Sequence, residues 1–132
     1  MGIESGVVTR LNAVTAVTDL VGSRIYANTL ADGVAHPAII YQVITDFPFD
    51  SILGSDPGKS QSRIQFTLIA DTTAGRIAVC DAVQSALKRF QGASDDVTIL
   101  DSRLENITDL PYDIDTDQTA RVADYIFYYE VT

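Results

Sequence analysis

The chain has 132 residues and a mass of 14.3 kDa, with 46% hydrophobic and 20% charged residues, which predicts one globular domain over residues 1–132 and excludes two separate cores. The chain has nine Lys and Arg residues and 18 Asp and Glu residues, so its formal charge is −9. This charge argues against a function in binding nucleic acid without sequence preference or in binding anionic membranes. Cys80 is the single cysteine, so the chain cannot form an internal disulfide, and we expect neither an export signal nor a membrane anchor.

The first third of the chain has the pattern of a helix followed by extended segments. Apolar residues recur at spacings of three and four over Ile3–Val21, which predicts one helix that ends at Gly22. A short strand is predicted at Arg24–Tyr26. The segment Ala38–Thr45 is nearly all apolar and β-branched, which is typical of a strand that is covered on both faces or buried at an interface.

The middle of the chain combines a long loop with two regular elements. Asp46–Ser60 holds two prolines and two glycines and is predicted to be a loop. Ser62–Ala70 alternates apolar and polar residues and predicts a half-buried strand. A second helix is predicted over Ala74–Gln91, with Gly92 ending it.

Two further strands are predicted at Val97–Ile107 and Ala120–Val131, separated by a polar loop at Thr108–Thr119. Strands joined without helices favour antiparallel pairing. We therefore expect an α+β domain with a mainly antiparallel sheet of four to five strands and two helices on one of its faces.

One glycine-rich segment resembles a phosphate-binding loop. Gly54–Ser60 ends in Gly-Lys-Ser, but the motif needs a glycine where Leu53 stands and a helix afterwards, and a strand is predicted there. A surface loop is the better interpretation of this segment.

An acidic segment partly matches a calcium-binding loop. Asp113–Asp117 supplies carboxylates at the first, third and fifth positions, and Asp124 falls at the twelfth. Gln118 replaces the required glycine, and the segment lies between strands rather than helices. A solvated acidic loop is therefore the preferred interpretation, with cation binding left open.

Catalytic groups are scarce in this sequence. His36 is the only histidine, and it precedes Pro37 in a predicted loop. Cys80 lies among apolar helix residues, as expected of a buried small side chain and not of an activated thiolate. We predict that the protein is not an enzyme and uses no cofactor or metal.

Apolar residues also occur where a small domain has difficulty covering them. The candidate protein-interface residues lie in the predicted loop: Phe47, Phe49, Ile52 and Leu53. The last strand adds Tyr125, Phe127, Tyr128 and Tyr129. Aromatic residues in such places are common interface anchors, although they can equally fold back over their own core.

Four segments in this order carry a resemblance to a known family: Asp19–Tyr26 (DLVGSRIY), Pro37 with Ile39–Tyr41, the alternating strand Ile64–Leu68, and the closing aromatic strand. The arrangement resembles the tail-completion or tail-terminator family of long-tailed bacteriophages and gene transfer agents, over nearly the whole chain. The long loop and the acidic loop depart from the pattern.

The resemblance implies a structural virion protein with a small α/β fold. It would form a ring, usually a hexamer, at the head-proximal end of the tail tube after assembly in the host cytoplasm. The ring would stop tube polymerisation, contact the tail tube protein and a head-completion connector, and let DNA pass without binding it. Two alternatives stay open: a head-side connector of the same particle, and a small dimeric ligand-binding or enzymatic α+β domain.

Overall fold

A computed structural model describes residues 2–28, 37–48, 59–95, 97–111 and 118–131. Three helices and six strands are present in these ranges: α1 (Ile3–Ala13), α2 (Thr15–Val21), β1 (Ile25–Ala27), β2 (Ala38–Pro48), β3 (Lys59–Ala70), α3 (Thr73–Leu87), β4 (Gly92–Ser94), β5 (Val97–Asp109) and β6 (Thr119–Val131). None of the helices in the described ranges has the length and hydrophobicity needed to cross a membrane.

The six strands form one sheet in the order β1-β2-β3-β6-β5-β4. β1 pairs with β2 in parallel, and every other neighbouring pair is antiparallel. The predicted α+β class with a mainly antiparallel sheet is therefore confirmed. The expected four to five strands and two helices were wrong, because the described ranges hold six strands and three helices.

The additional helix arises from a break at Val14 in the predicted helix Ile3–Val21. Val14 is extended, with φ −99° and ψ 115°, and it ends α1 and precedes α2. The β-branched residues around it have low helix propensity, so a break in the helix at this position costs little free energy. Leu11, Val17 and Val21 are nevertheless all buried, so the apolar spacing continues across the break and conceals it.

The additional strand, β4, follows an early end of α3. The helix stops at Leu87 instead of continuing to Gln91, and Gly92 begins β4 instead of ending a helix. The N–H of Arg89, which has a positive φ of 58°, donates to the carbonyl of Ser102, and the buried Ser102 hydroxyl donates to the Leu87 carbonyl. These contacts hold the end of α3 against β5.

One face of the sheet packs against the helices to form the core. Buried residues alternate along β3, and they join buried residues of β6 and of all three helices in one cluster. Tyr125 is fully buried in this cluster, edge-on to Phe66 with ring centroids 5.6 Å apart and stacked on Phe127. The last-strand aromatic residues Tyr125, Phe127 and Tyr129 therefore cover their own core, which is the second of the two interpretations that the sequence left open for them.

Candidate assembly surfaces

The described surface has two open hollows. One hollow of about 470 Å³ lies beside the end of α3, and another of about 450 Å³ lies between α1 and Tyr41 of β2. Within the described ranges no group of three or more His, Cys, Asp or Glu side chains could hold a metal ion. Cys80 is buried, as predicted. The sheet edges and faces are the other large features of the described surface.

The outer edge of β2 is covered by another described strand only at its beginning. β1 pairs with residues 39–41 of β2, and the N–H of Asn28 donates to the Tyr41 carbonyl at 2.8 Å. Beyond Tyr41, no described strand pairs with the outer edge of β2. The backbone of Gln42–Pro48 thus forms an edge segment, which we call the β2 half-edge.

The outer edge of β5 is arranged in the same way. β4 pairs with residues 97–99, and the Ser102 carbonyl accepts the Arg89 N–H. Beyond Ser102, no strand in the described part of the chain pairs with this edge. The backbone of Arg103–Asp109 forms the β5 half-edge.

Each of these two segments carries one exposed large hydrophobic side chain. Four such residues are found in the described ranges: Ile44, Ile77, Ile107 and Leu110, with exposed fractions of 44%, 39%, 37% and 41%. Ile44 lies on the β2 half-edge at an irregularity in the β2–β3 register. Ile107 lies on the β5 half-edge, and Leu110 is the first residue after the end of that half-edge. Exposed hydrophobic strand edges are templates for pairing with another chain.

A network of charged side chains fixes the start of β6 and the end of β5. Arg121 donates hydrogen bonds to both carboxylate oxygens of Asp109, at 2.6 and 3.3 Å. Arg76 of α3 lies 3.8 Å from the same carboxylate and donates to the Thr119 hydroxyl at 2.7 Å. The Arg121 hydrogen bond lowers the pKa of Asp109 and raises the pKa of Arg121. The β5 half-edge is thereby tied to the helical layer at its far end.

The face of the sheet that points away from the helices carries balanced charges. Arg63 contacts Asp124 at 2.9 Å, and this hydrogen bond raises the pKa of Arg63. Lys59 lies directly opposite Glu130 in the register of β3 and β6. The charge of −9 is therefore not concentrated on this face.

Three of the four predicted interface residues lie outside the residues that the structure describes. Phe49, Ile52 and Leu53 lie outside the described residues, and so do the acidic segment 113–117 and His36. Phe47 is placed in strand β2, where its backbone is paired with Gln61 and belongs to the β2 half-edge. The interface role of these residues stays a prediction.

Sequence reasoning missed Ile44, Ile107 and Leu110 as surface hydrophobic residues. Ile44 stands inside an apolar run that predicts coverage on both faces, yet it is 44% exposed. The available signal was the weak alternation of apolar and polar residues in that run. Burial at an interface was one of the two interpretations of this pattern. Exposure of Ile107 depends on the strand order, which no local pattern gives.

Comparison with known proteins identifies the family. The family model described as "Tail completion protein gp17" matches residues 5–130. A chain of the "virion of native gene transfer agent (GTA) particle" has the same fold, with a TM-score of 0.71, 16% identity, and coverage of 97% of this chain and 94% of that chain. A comparison with curated proteins gave no match. Since the family model covers nearly the whole chain, this protein belongs to the tail completion protein family and has a structural role in the bacteriophage-type tail.

Proposed function

We propose that this protein forms a hexameric ring at the head-proximal end of the tail tube, where it stops tube polymerisation and provides the surface that joins the head. The observation that carries the proposal is the match of the tail completion family model to residues 5–130. The fold shared with a chain of the gene transfer agent virion gives additional support.

The mechanism is assembly by surface complementarity, without a chemical step. A cyclic ring has heterologous interfaces, so each subunit must present two different patches that fit each other. The ring also needs one surface for the tail tube protein and another for the head-completion connector. The predicted interface segment from Phe47 to Leu53 contacts either the neighbouring subunit or the last ring of tube protein.

The acidic composition suits a protein through which DNA passes. A protein that holds DNA without sequence preference neutralises phosphates with Lys and Arg, and this chain carries a formal charge of −9. DNA would be repelled by such a ring and would move through its lumen without lasting contacts.

The mass of the purified protein in solution tests the ring. Light scattering over a wide concentration range should approach six times the chain mass of 14.3 kDa, and electron microscopy should show six-fold rings. A strict dimer would contradict the ring and favour the small dimeric ligand-binding domain. A monomer that also fails to bind tail tubes would contradict the proposal as well.

Control of tube length tests the capping role. Tube protein that polymerises with the ring protein present should give tubes closed at one end, with the ring protein located only there. Binding to the head connector with no binding to tubes would contradict capping and favour the alternative of a head-side connector.

A further inference from the structure

The two half-edges lie at opposite edges and opposite ends of the sheet. β2 and β5 are the strands that β1 and β4 cover, and both are covered near their beginning and, within the described ranges, open towards their end. β2 runs antiparallel to β3, β3 to β6, and β6 to β5, so β2 and β5 run in opposite directions. Their open ends therefore point to opposite ends of the sheet.

The half-edges also match in length. Gln42–Pro48 and Arg103–Asp109 each contain seven residues, which corresponds to about 23 Å of extended chain. Each begins directly after a backbone carbonyl, of Tyr41 or Ser102, that already accepts a hydrogen bond from a turn. One segment is thus long enough to pair with the whole of the other.

The two segments come together when one copy is placed beside another in the plane of the sheet and is shifted along the strand direction by about half a strand length. In this position the β2 half-edge of one copy lies antiparallel beside the β5 half-edge of the next, and the helices of both copies stay on the same side of the sheet. The short strands β1 and β4 then lie beyond opposite ends of the paired segment. The covered portions of the edges therefore determine the stagger and do not obstruct the pairing.

The register that pairs all seven residues places Ile44 directly opposite Ile107. Both side chains are exposed in the single subunit, by 44% and 37%, and their contact would remove apolar surface from water. The same register sets Asp46 opposite Glu105. Each of these carboxylates already has a partner, because Tyr129 donates to Asp46 at 2.7 Å and Arg103 contacts Glu105 at 3.2 Å.

We propose that subunits join head to tail by antiparallel pairing of the β2 half-edge of one copy with the β5 half-edge of the next, so that the sheet continues from subunit to subunit. This inference rests on the proposed ring and names the surface that forms it. A second copy is the partner because one chain carries both halves of the interface, matched in length, direction and stagger. Pairing of two different edges is heterologous, and sheet twist curves such a row towards closure.

Cysteine cross-linking tests the pairing directly. Ile44→Cys and Ile107→Cys are made separately in a Cys80→Ala background, with different tags, and the two proteins are mixed and oxidised with copper phenanthroline. Opposed residues on paired strands have Cβ atoms close enough for a disulfide. We expect a covalent dimer in the mixture that contains one chain of each kind, and almost none from either variant alone.

The double variant counts the subunits. With both cysteines in one chain, oxidation should give a ladder of covalent species whose largest member contains as many chains as the ring. Ile77→Cys combined with Ile44→Cys is the matched control, because Ile77 has a similar exposed fraction of 39% but lies on helix α3 and not on a strand edge. That pair should remain uncross-linked.

Charge substitution provides a second measurement that needs no oxidation. Ile44→Lys with Ile107→Lys should lower the mass in solution to that of the monomer, whereas Ile44→Lys with Ile107→Glu should restore the assembly. Circular dichroism of each variant separates loss of assembly from loss of folding.

The outcomes distinguish this inference from the ring itself. Six-fold rings without an Ile44–Ile107 cross-link would overturn the edge pairing and leave the ring intact. Cross-linking of the Ile44→Cys variant to itself would show two-fold pairing of identical edges and would overturn the head-to-tail arrangement. A chain that neither cross-links nor exceeds the monomer mass, both alone and with tail tubes present, would overturn both.

Discussion

Arg121 and Asp109 face each other across β6 and β5 and are joined by two hydrogen bonds of 2.6 and 3.3 Å. Arg76 approaches the same carboxylate from α3, at 3.8 Å. Asp109 is the last residue of the β5 half-edge, so this network fixes the segment that we assign to the subunit interface. Its contribution to stability should depend on pH.

We expect Asp109→Asn to remove an acid-sensitive part of the stability. The Arg121 hydrogen bond and charge, with the charge of Arg76, hold the pKa of Asp109 below its ordinary value. The stabilisation is therefore present above the ordinary pKa of about 3.9 and is lost as the pH falls through the lower folded value. Urea unfolding should show a less stable variant near neutral pH and a difference that narrows below about pH 4.

Asp81→Asn is the matched control for this experiment. Asp81 is an exposed carboxylate on α3, and the same chemical change there controls for the loss of a surface carboxylate. A constant difference between parent and Asp109→Asn across the acid range would show that the Arg121 contact does not act through ionisation.

Tyr129 should make the folding stability of the protein decrease at alkaline pH. Its side chain is only 4% exposed, and its hydroxyl donates to Asp46 at 2.7 Å. Burial, with the Asp46 hydrogen bond, raises the pKa of Tyr129 to about 12. Stability from the protonated phenol is complete below the ordinary pKa of about 10 and declines as the pH rises towards 12.

Replacing Tyr129 with Phe should make that alkaline decline shallower than in the parent. At neutral pH the variant should lose about 1.5–3 kcal/mol of unfolding free energy, because the hydrogen bond has a charged acceptor. Tyr128→Phe serves as the control, since Tyr128 is half-buried on the opposite face of the same strand. Denaturant unfolding at several pH values gives both results, and an identical alkaline slope in parent and variant would contradict the assignment.

Gly6 should resist substitution because α1 packs directly on β4 and β5. A Cβ at this position would overlap the Val97 Cγ2 atom and lie 3.0 Å from the Ser94 carbonyl. The Ser94 hydroxyl also donates to the Gly6 carbonyl at 2.6 Å, which fixes the helix against the strand. Overpacking costs about 1–3 kcal/mol and alanine returns about 1 kcal/mol of helix propensity, so Gly6→Ala should lower the unfolding free energy by up to about 2 kcal/mol.

Val97→Ala tests the cause of that loss. If the overlap is responsible, Val97→Ala should cost less in the Gly6→Ala background than in the parent, as a double-mutant cycle measures. Asn12→Ala, on the exposed side of α1, should cause no comparable loss. Additive effects at positions 6 and 97 would contradict the close packing.

Local sequence pattern was sufficient for the elements whose burial follows one period. The alternation of Ser62–Ala70 and of the last strand predicted β3 and β6, and the apolar stripe predicted α3. The break at Val14 was missed because α2 resumes with Val17 on the same buried side. β4 was missed because Gly-Ala-Ser has no strand propensity and becomes a strand only by pairing with β5.

The surfaces were harder to predict because they depend on strand order. An apolar run in β2 has the same pattern whether its outer edge is covered along all its length or only at residues 39–41. The aromatic residues of β6 suggested an interface, yet β6 lies between β3 and β5, where a strand has no open edge. The exposure of Ile44 and Ile107 can be predicted only when β2 and β5 are known to lie near the two edges of the sheet.

The predicted interface segment gives the most direct functional test. Phe47→Ser with Phe49→Ser should leave the domain folded and abolish either ring formation or binding to the tail end. Phe47 belongs to the β2 half-edge, whereas Phe49 lies outside the described residues, so the two single variants separate an edge effect from an effect of the adjoining segment. Tail length and infectivity of particles that carry each variant are the measurements, with Ile77→Ser on α3 as the control for loss of an exposed hydrophobic side chain. Particles with tails of normal length and full infectivity in the double variant would show that this segment contacts neither a neighbouring subunit nor the tube.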